Sequence, residues 1–356
     1  MTMEYRTLDE AELGPKWQGA FEAIWPAYRG WFLSQGEEAR PTYREVARAL
    51  KAHMPEWVPA WEQMSELAGG GDYAARFLGQ LSPPPFFAAC SQAILPGDPA
   101  AGQAPLLVRN YDYSPLLCDG LVMKTHWLKR GVIAMTDCMS GVLDGMNDDG
   151  LAISLTFGGR RVTGQGFSIT MIQRYILETC STVAEACAAL QRLPLQVAYN
   201  VGLLDRDGDF ATVLLSPDRP AQITQRRVIT NHQDGDRWQK YTDMIQSDER
   251  LDYLTKQLEA GPKDPEDLLG LFLKVPLYRT TYGMGYGTLF TSVYCPARGE
   301  VRYLWPDGGW HLTFDEFPEQ SRTVLYQDFE ASNDDKPVWP PQELRQPKRP
   351  MGIFKR

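Results

Sequence analysis

The sequence predicts an α+β protein in which antiparallel sheets are covered by helices. Three observations lead there. Helical and strand-like segments come in blocks, in the order helices, strands, two helices, strands, helices, strands, rather than alternating one by one. Neighbouring strand-like segments are joined by turn chemistry such as Asn147-Asp148-Asp149-Gly150, so they read as hairpins. The 31 glycines and 26 prolines are spread along the chain, which excludes a coiled coil.

Residues 1–89 read as mostly helical. Trp17, Phe21, Ile24, Trp25, Tyr28, Trp31 and Phe32 recur at three- and four-residue spacing and form one apolar face, with Pro26 expected to kink that helix or end it nearby. A second helix starts at Pro41–Glu45 and carries Val46, Leu50 and Met54. A third runs from about Pro59 to Leu67 and stops at Gly69-Gly70-Gly71, and a short one follows near Tyr73–Leu81. Ser82-Pro83-Pro84-Pro85 cannot continue a helix, so a boundary is expected at about 82–89. Strands are then expected at Cys90–Leu95, Leu106–Tyr113, Gly131–Thr136, Gly141–Met146 and Leu151–Phe157. Helices follow at Phe167–Leu177 and Thr182–Leu193, then strands at Tyr199–Leu204, Phe210–Leu215 and Val228–Thr230. Residues 236–275 return to helix, and Gly287–Cys295 with Val301–Trp305 form a last hairpin. This gives a helical segment 1–89, a domain 90–335, and a tail 336–356 rich in proline, with six Lys or Arg against one Glu, which reads as a solvated extension.

Composition narrows the function. The chain has 356 residues, 43% hydrophobic and 23% charged, ordinary for a globular protein of about two domains. A net charge of −9 argues against nucleic acid, which needs clustered Lys and Arg. No apolar run reaches a membrane-spanning length. The start has no basic stretch followed by an apolar one, so a cytoplasmic location is expected. Cys90, Cys118, Cys138, Cys180, Cys187 and Cys295 show no CxxC spacing, and His53, His126, His232 and His311 are scattered. Neither a disulfide framework nor a metal site is expected. Asp205–Asp209 has its glycine at the wrong position for a calcium loop. Gly283-Met284-Gly285-Tyr286-Gly287 and Gly164-Gln165-Gly166 lack the strand-to-helix context of a phosphate cradle, so no cofactor is expected.

The informative residues begin at Cys90, which opens a strand directly after the proline-terminated helices. Taken alone, such a cysteine reads as a small buried hydrophobe. Arg109-Asn110-Tyr111-Asp112 lies on the partner strand, so charged groups come close to that sulfur. The odd separation of Arg109 and Asp112 places them on opposite faces of a regular strand; both reach the thiol only if the strand ends or bulges there. On their own, this pair reads as a surface strand end, and Asn231-His232 as a turn.

Cys90-Ser91-Gln92, Arg109-Asn110-Tyr111-Asp112, Gly145–Phe157, Tyr199-Asn200 and Thr230-Asn231-His232, in this order, resemble the acyl-coenzyme A:6-aminopenicillanic acid acyltransferase family of self-processing cysteine enzymes. More distantly they are similar to the choloylglycine hydrolases. The resemblance implies an N-terminal nucleophile hydrolase fold, an αββα four-layer sandwich, and autocatalytic cleavage of the Ala89–Cys90 bond. It implies that Cys90 then uses its own α-amine as general base. Arg109 would favour the thiolate, Asp112 would orient the α-ammonium, and Asn231 would donate to the oxyanion. Asn200, Thr156 and Tyr111 fall where the family binds substrate. Thr156 stands where relatives often carry Asn, and Ala89 where glycine often precedes the nucleophile. The implied substrate is an N-acyl amide or an acyl thioester such as an acyl-coenzyme A, and a homo-oligomer is compatible with the sequence. Two other readings stay open: an uncleaved Cys–His thiol hydrolase using His232 as base, and a non-catalytic member of the fold. Residues 1–89 become a pro-segment or small subunit; their apolar face favours retention, because release would expose Trp17, Phe21, Trp25 and Phe32.

Overall fold

The computed structural model describes residues 1–260 and 264–327. The basic tail from 336 onward and the last residues of the 90–335 domain lie outside the described residues, as do 261–263 within the expected helical stretch 236–275. In chain order the elements are β1 (Thr2–Asp9), α1 (Pro15–Phe32), α2 (Tyr43–His53), α3 (Val58–Leu67), α4 (Asp72–Leu78), β2 (Ala89–Leu95), β3 (Leu106–Tyr113), β4 (Leu121–Thr125), β5 (Val132–Asp137), β6 (Gly141–Asn147) and β7 (Leu151–Phe157). There follow α5 (Ile169–Thr179), α6 (Val183–Arg192), β8 (Tyr199–Asp205), β9 (Phe210–Ser216), β10 (Arg219–Thr224), β11 (Val228–Ile229), α7 (Gln239–Met244), α8 (Ser247–Glu259) and α9 (Pro265–Phe272). β12 (Gly287–Cys295), β13 (Glu300–Trp305), β14 (Gly308–Thr313) and β15 (Ser321–Leu325) complete the described chain.

Among the described residues the strands form two sheets. One has nine strands in the order β10-β9-β8-β7-β6-β5-β4-β1-β15, the other six in the order β11-β2-β3-β12-β13-β14. Every named pairing is antiparallel except β1 with β4. The sheets face each other across one apolar layer that includes Cys90, Ile94, Leu107, Tyr111, Val122, Ile133 and Met135. Helices α1 to α6 cover the outer face of the nine-stranded sheet through a second core containing Trp17, Phe21, Phe77, Ile153, Leu155 and Val201. α8 and α9 cover the six-stranded sheet through a third, with Val108, Leu254, Leu268 and Phe272. The protein is thus α+β, with four layers in the order helix, sheet, sheet, helix. Because β2 and β3 are covered on both faces, every residue in them is buried, and their polar residues are held by partners rather than by water.

Local chemistry explains the helices. α1 has Pro15 in its first turn and buries Trp17, Phe21, Ile24, Tyr28 and Trp31 on one stripe. Of the two expectations for Pro26, a kink or an end, the helix does not end there but runs on to Phe32; Pro26 lies on the exposed face, where water can serve the carbonyl that loses its donor. α2 starts with a capping box in which Thr42 and Glu45 serve each other's backbone N–H groups.

Residues 1–89 are not helical throughout. β1 lies between β4 and β15, with Met3, Tyr5 and Thr7 buried. The fully buried Tyr5 donates its hydroxyl to the Leu289 carbonyl at 3.2 Å, shares a 2.8 Å bond with the Tyr326 hydroxyl, and packs its ring 4.9 Å from that of Trp305. Tyr5 therefore ties the chain's first strand to the opposite sheet. Tyr5→Ala is expected to destabilise the protein by about 3–5 kcal/mol, the usual cost of removing a buried aromatic ring, measured by urea unfolding; a cost below about 1 kcal/mol would mean that β1 contributes little to the packed structure.

Candidate active site

β2 and β3 pair in regular register, Ala89 with Asp112 and Cys90 with Tyr111. Arg109 has the parity of Leu107 and Tyr111 and shares the inter-sheet face with Cys90, whereas Asp112 has the parity of Leu106 and Val108 and takes the helix-covered face. The odd separation thus has its simple consequence. The register shift lies on the neighbouring strand, between Thr288 and Phe290 of β12, not on β3.

Cys90 is completely buried. Arg109 donates from Nη2 to its Sγ at 3.4 Å and from Nη1 to Asp144 Oδ2 at 2.5 Å and to the Leu143 carbonyl at 3.2 Å. The guanidinium also lies over the Tyr111 ring, 4.5 Å from its centre. Asp144, equally buried, accepts further bonds from the hydroxyls of Tyr294 and Tyr303. Burial pushes the Cys90 thiol up from its ordinary value; the Arg109 charge opposes this and the Asp112 charge adds to it. Burial works against the charge on Arg109, but Cys90 and Asp144 outweigh it and hold the guanidinium protonated. Burial also raises the Asp112 carboxyl, against the charges of Arg250 and Arg279 and the hydrogen bond from Thr288. Thr288 Oγ1 donates to Asp112 Oδ1 at 2.7 Å, while Asp112 Oδ2 is buried with no hydrogen-bond partner.

The loop after β11 brings Asn231 to the start of β2. The Cys90 N–H donates to Asn231 Oδ1 at 2.7 Å, and Asn231 Nδ2 donates to the carbonyls of Ala88 at 2.9 Å and Phe157 at 3.3 Å. Side chains and a close backbone passage hold this loop. Thr156 Oγ1 donates to the Thr230 carbonyl at 2.8 Å; Asn200, directly opposite on β8, donates from Nδ2 to the carbonyls of Thr230 at 3.0 Å and His232 at 3.2 Å. Gly159 passes so close that a Cβ there would stand 2.2 Å from the Asn231 carbonyl oxygen, and its φ of +67° also suits glycine alone. His232 is held by the first turn of α8. Its Nδ1 shares a 2.9 Å hydrogen bond with the Ser247 hydroxyl, and its Nε2 lies 3.6 Å from Asp248 Oδ1. Burial lowers its pKa, with the Asp248 charge opposing.

Cys90, Arg109, Tyr111, Asp112 and Asn231 are therefore brought together around one strand start, and Thr156 and Asn200 stand behind the Asn231 loop. Sequence reasoning missed three participants. Arg250 of α8 donates to the Cys90 carbonyl, to Ser91 Oγ at 2.7 Å and to Asn231 Oδ1 at 3.0 Å. Tyr241 of α7 donates its hydroxyl to the Ala88 carbonyl at 3.0 Å. Asp144 carries the Arg109 charge. Only Asp144 left a usable signal, as a carboxylate inside the otherwise apolar run Val142-Leu143-Asp144-Gly145-Met146.

The order helix, sheet, sheet, helix is the four-layer α+β architecture that the sequence resemblance implies. Residues 100–310 match the model of the acyl-coenzyme A:6-aminopenicillanic acid acyl-transferase family, and the chain belongs to that family. No curated protein matches it in sequence. Among solved structures, the chain is similar to a mutant conjugated bile acid hydrolase from Clostridium perfringens (13% identity, 69% of this chain and 100% of that one, TM-score 0.46). It is also similar to penicillin V acylase from Agrobacterium tumefaciens (15%, 75% and 100%, 0.45) and to the Caenorhabditis elegans ortholog of N-acylethanolamine-hydrolyzing acid amidase (17%, 67% and 100%, 0.43). No helix among the described residues is long and apolar enough to cross a membrane.

Asp144→Ala would leave the Arg109 charge buried without its carboxylate. It is expected to cost about 3–5 kcal/mol, measured by urea unfolding. A near-neutral result would mean that Arg109 finds water in the folded protein, against the burial described above.

Proposed function

We propose that the protein is a self-processing cysteine enzyme that moves acyl groups from N-acyl amides or acyl thioesters to water or an amine, through a thioester on Cys90. The observation that carries this reading is the set of contacts on one residue: the Cys90 thiol faces Arg109 Nη2, and its backbone nitrogen is bonded to Asn231.

In the maturation step, Cys90 Sγ attacks the carbonyl carbon of Ala89. The thiol proton passes to the departing nitrogen, the Ala89–Cys90 C–N bond breaks, and a thioester of Ala89 remains with a free α-amine on Cys90. Water then cleaves the thioester, leaving a carboxylate on Ala89 and restoring the thiol. In turnover the α-amine takes the thiol proton as Sγ attacks the substrate carbonyl and returns it to the leaving amine or thiol. Arg109 favours the thiolate by its charge. Asn231 Oδ1, which now accepts the Cys90 N–H, holds the nitrogen that becomes the amine. Asn231 Nδ2 is the oxyanion donor once the Ala88 carbonyl leaves; losing one such donor typically costs about 10²–10³ in rate. The open Asp112 Oδ2 is the acceptor available to the α-ammonium.

Thr156 and Asn200 are positioning residues in this reading: they hold the Asn231 loop, and Tyr111 backs the guanidinium. Arg250 fixes both Asn231 Oδ1 and the Cys90 carbonyl. His232 is engaged with the first turn of α8, which leaves the amine, not an imidazole, as the base. Residues 1–89 stay as a small subunit after cleavage, because β1 is built into the nine-stranded sheet and α1 to α4 cover it.

The test is to trap the acyl-enzyme. After incubation with 4-nitrophenyl hexanoate and acid quench, the Cys90 peptide should gain one hexanoyl group in mass spectrometry. The adduct should be discharged by hydroxylamine and be absent from Cys90→Ala. Acylation of another residue, or an adduct that persists in Cys90→Ala, would overturn the assignment.

A further inference from the structure

The residues just upstream of Cys90 run through the interior. Ser82 is anchored, its N–H donating to the Gly166 carbonyl at 2.8 Å; beyond it the side-chain amides of Gln196 and Asn231 hold the carbonyls of Pro83 and Ala88, and aromatic side chains hold the rest. The Phe86 carbonyl accepts the Tyr199 hydroxyl at 2.8 Å. The Phe87 ring sits edge-on to Phe157, 4.7 Å between centres, and edge-on to Trp238 at 6.0 Å. Tyr241 closes the same slot, 5.1 Å from Phe157 and stacked on Trp238 at 5.6 Å. The slot is fully buried at Ala88 and Ala89, and half-buried at Phe87 and Trp238, where the exposed Arg161 lies 5.3 Å over the Trp238 ring. It thus runs from the thiol outward to solvent.

One nucleophile reacts twice in the reading above, on which this inference rests. Sγ first attacks the Ala89 carbonyl and later the carbonyl of the substrate, so the acyl portion of both must leave the sulfur in the same direction. In the uncleaved chain that direction is occupied by Ala89, Ala88 and Phe87. We propose that the volume they fill is the acyl pocket of the mature enzyme, walled by Phe157, Trp238 and Tyr241. The pocket takes an extended apolar acyl chain ending in an aromatic or similarly bulky group. Two extended residues span about 7 Å, so the ring of the acyl group belongs roughly that far from the reacting carbonyl. The freed carboxylate end at Ala89, tethered at Ser82, swings out of the slot to admit it.

The experiment uses purified wild-type protein, its intact mass recorded first. Cys90 is alkylated with iodoacetamide in the presence of acetate or 6-phenylhexanoate, two product-like carboxylates of different length, and the rate is read by mass spectrometry. 6-Phenylhexanoate is expected to give half-protection at a concentration at least tenfold lower than acetate, and Trp238→Ala to bring that ratio towards one. If Trp238→Ala does not fold, Trp238→Leu makes the same comparison, and the length dependence of the wild type decides the matter alone. Equal protection by both acids, or protection by neither, on a protein already cleaved at Ala89–Cys90 would overturn the acyl pocket and leave the nucleophile intact. A single uncleaved chain in the first mass spectrum would overturn the nucleophile reading, and the pocket with it.

Discussion

A guanidinium without access to water sits at the centre of this protein. Arg109 is wholly buried between the two sheets, and a charge in that place is tolerable only if it is matched. Asp144 matches it from the facing strand β6, and the remaining capacity of that carboxylate is taken up by Tyr294 and Tyr303. The second nitrogen is thereby free to point at Cys90. The ion pair spans both sheets, so the spacing of the sandwich and the environment of the thiol depend on one interaction. A buried pair of this kind adds little net stability compared with apolar packing. Its consequence here is electrostatic: a fixed positive charge beside a sulfur whose thiolate burial otherwise disfavours.

The second constraint is the placement of Asn231. Its side-chain amide keeps its bonds to Cys90 and Ala88 only if the loop does not move, and the loop after β11 has little regular structure of its own. It is clamped from below by Thr156 and Asn200, from the side by the Ser247 hydroxyl, which accepts the Asn231 N–H at 2.9 Å, and from above by the close passage of Gly159. Arg250 reaches across from α8 to join Asn231 to the Cys90 carbonyl. Both sheets and one helix layer therefore contribute: the six-stranded sheet and α8 hold Cys90, and the nine-stranded sheet holds the loop that faces it.

Much of this was legible in the residues, and the gaps have physical causes. The helices of 15–78 announced themselves through large aromatics at helical spacing, and β2, β3 and β12 through apolar runs bounded by turns. β1 has a period-two pattern of its own, Met3, Tyr5 and Thr7 against Glu4 and Arg6, but it is short and half charged, and precedes a strong helix. β10 is exposed or half-buried along its length, and its Arg219–Thr224 has no apolar alternation to read. Cys90, Arg109, Asp112 and Asn231 could be paired because they recur in a recognisable order. Arg250 could not, since it sits in Ser247-Asp248-Glu249-Arg250, indistinguishable from the charged face of a surface helix. Thr156 and Asn200 bond to the backbone of the Asn231 loop: buried amides and hydroxyls bond first to whatever carbonyl is nearest, and sequence does not say which that is.

The central claim is that Cys90 becomes the amino-terminal residue of a second polypeptide. Determination of the N-terminal sequences of the purified wild-type protein and of Cys90→Ala, denatured to separate any fragments, tests it most directly. The account predicts two termini in the wild type, one at the start of the chain and one reading Cys90-Ser91-Gln92-Ala93, and a single terminus in Cys90→Ala. One terminus in both proteins would contradict it, as would a second terminus at any other residue or one that survives in Cys90→Ala.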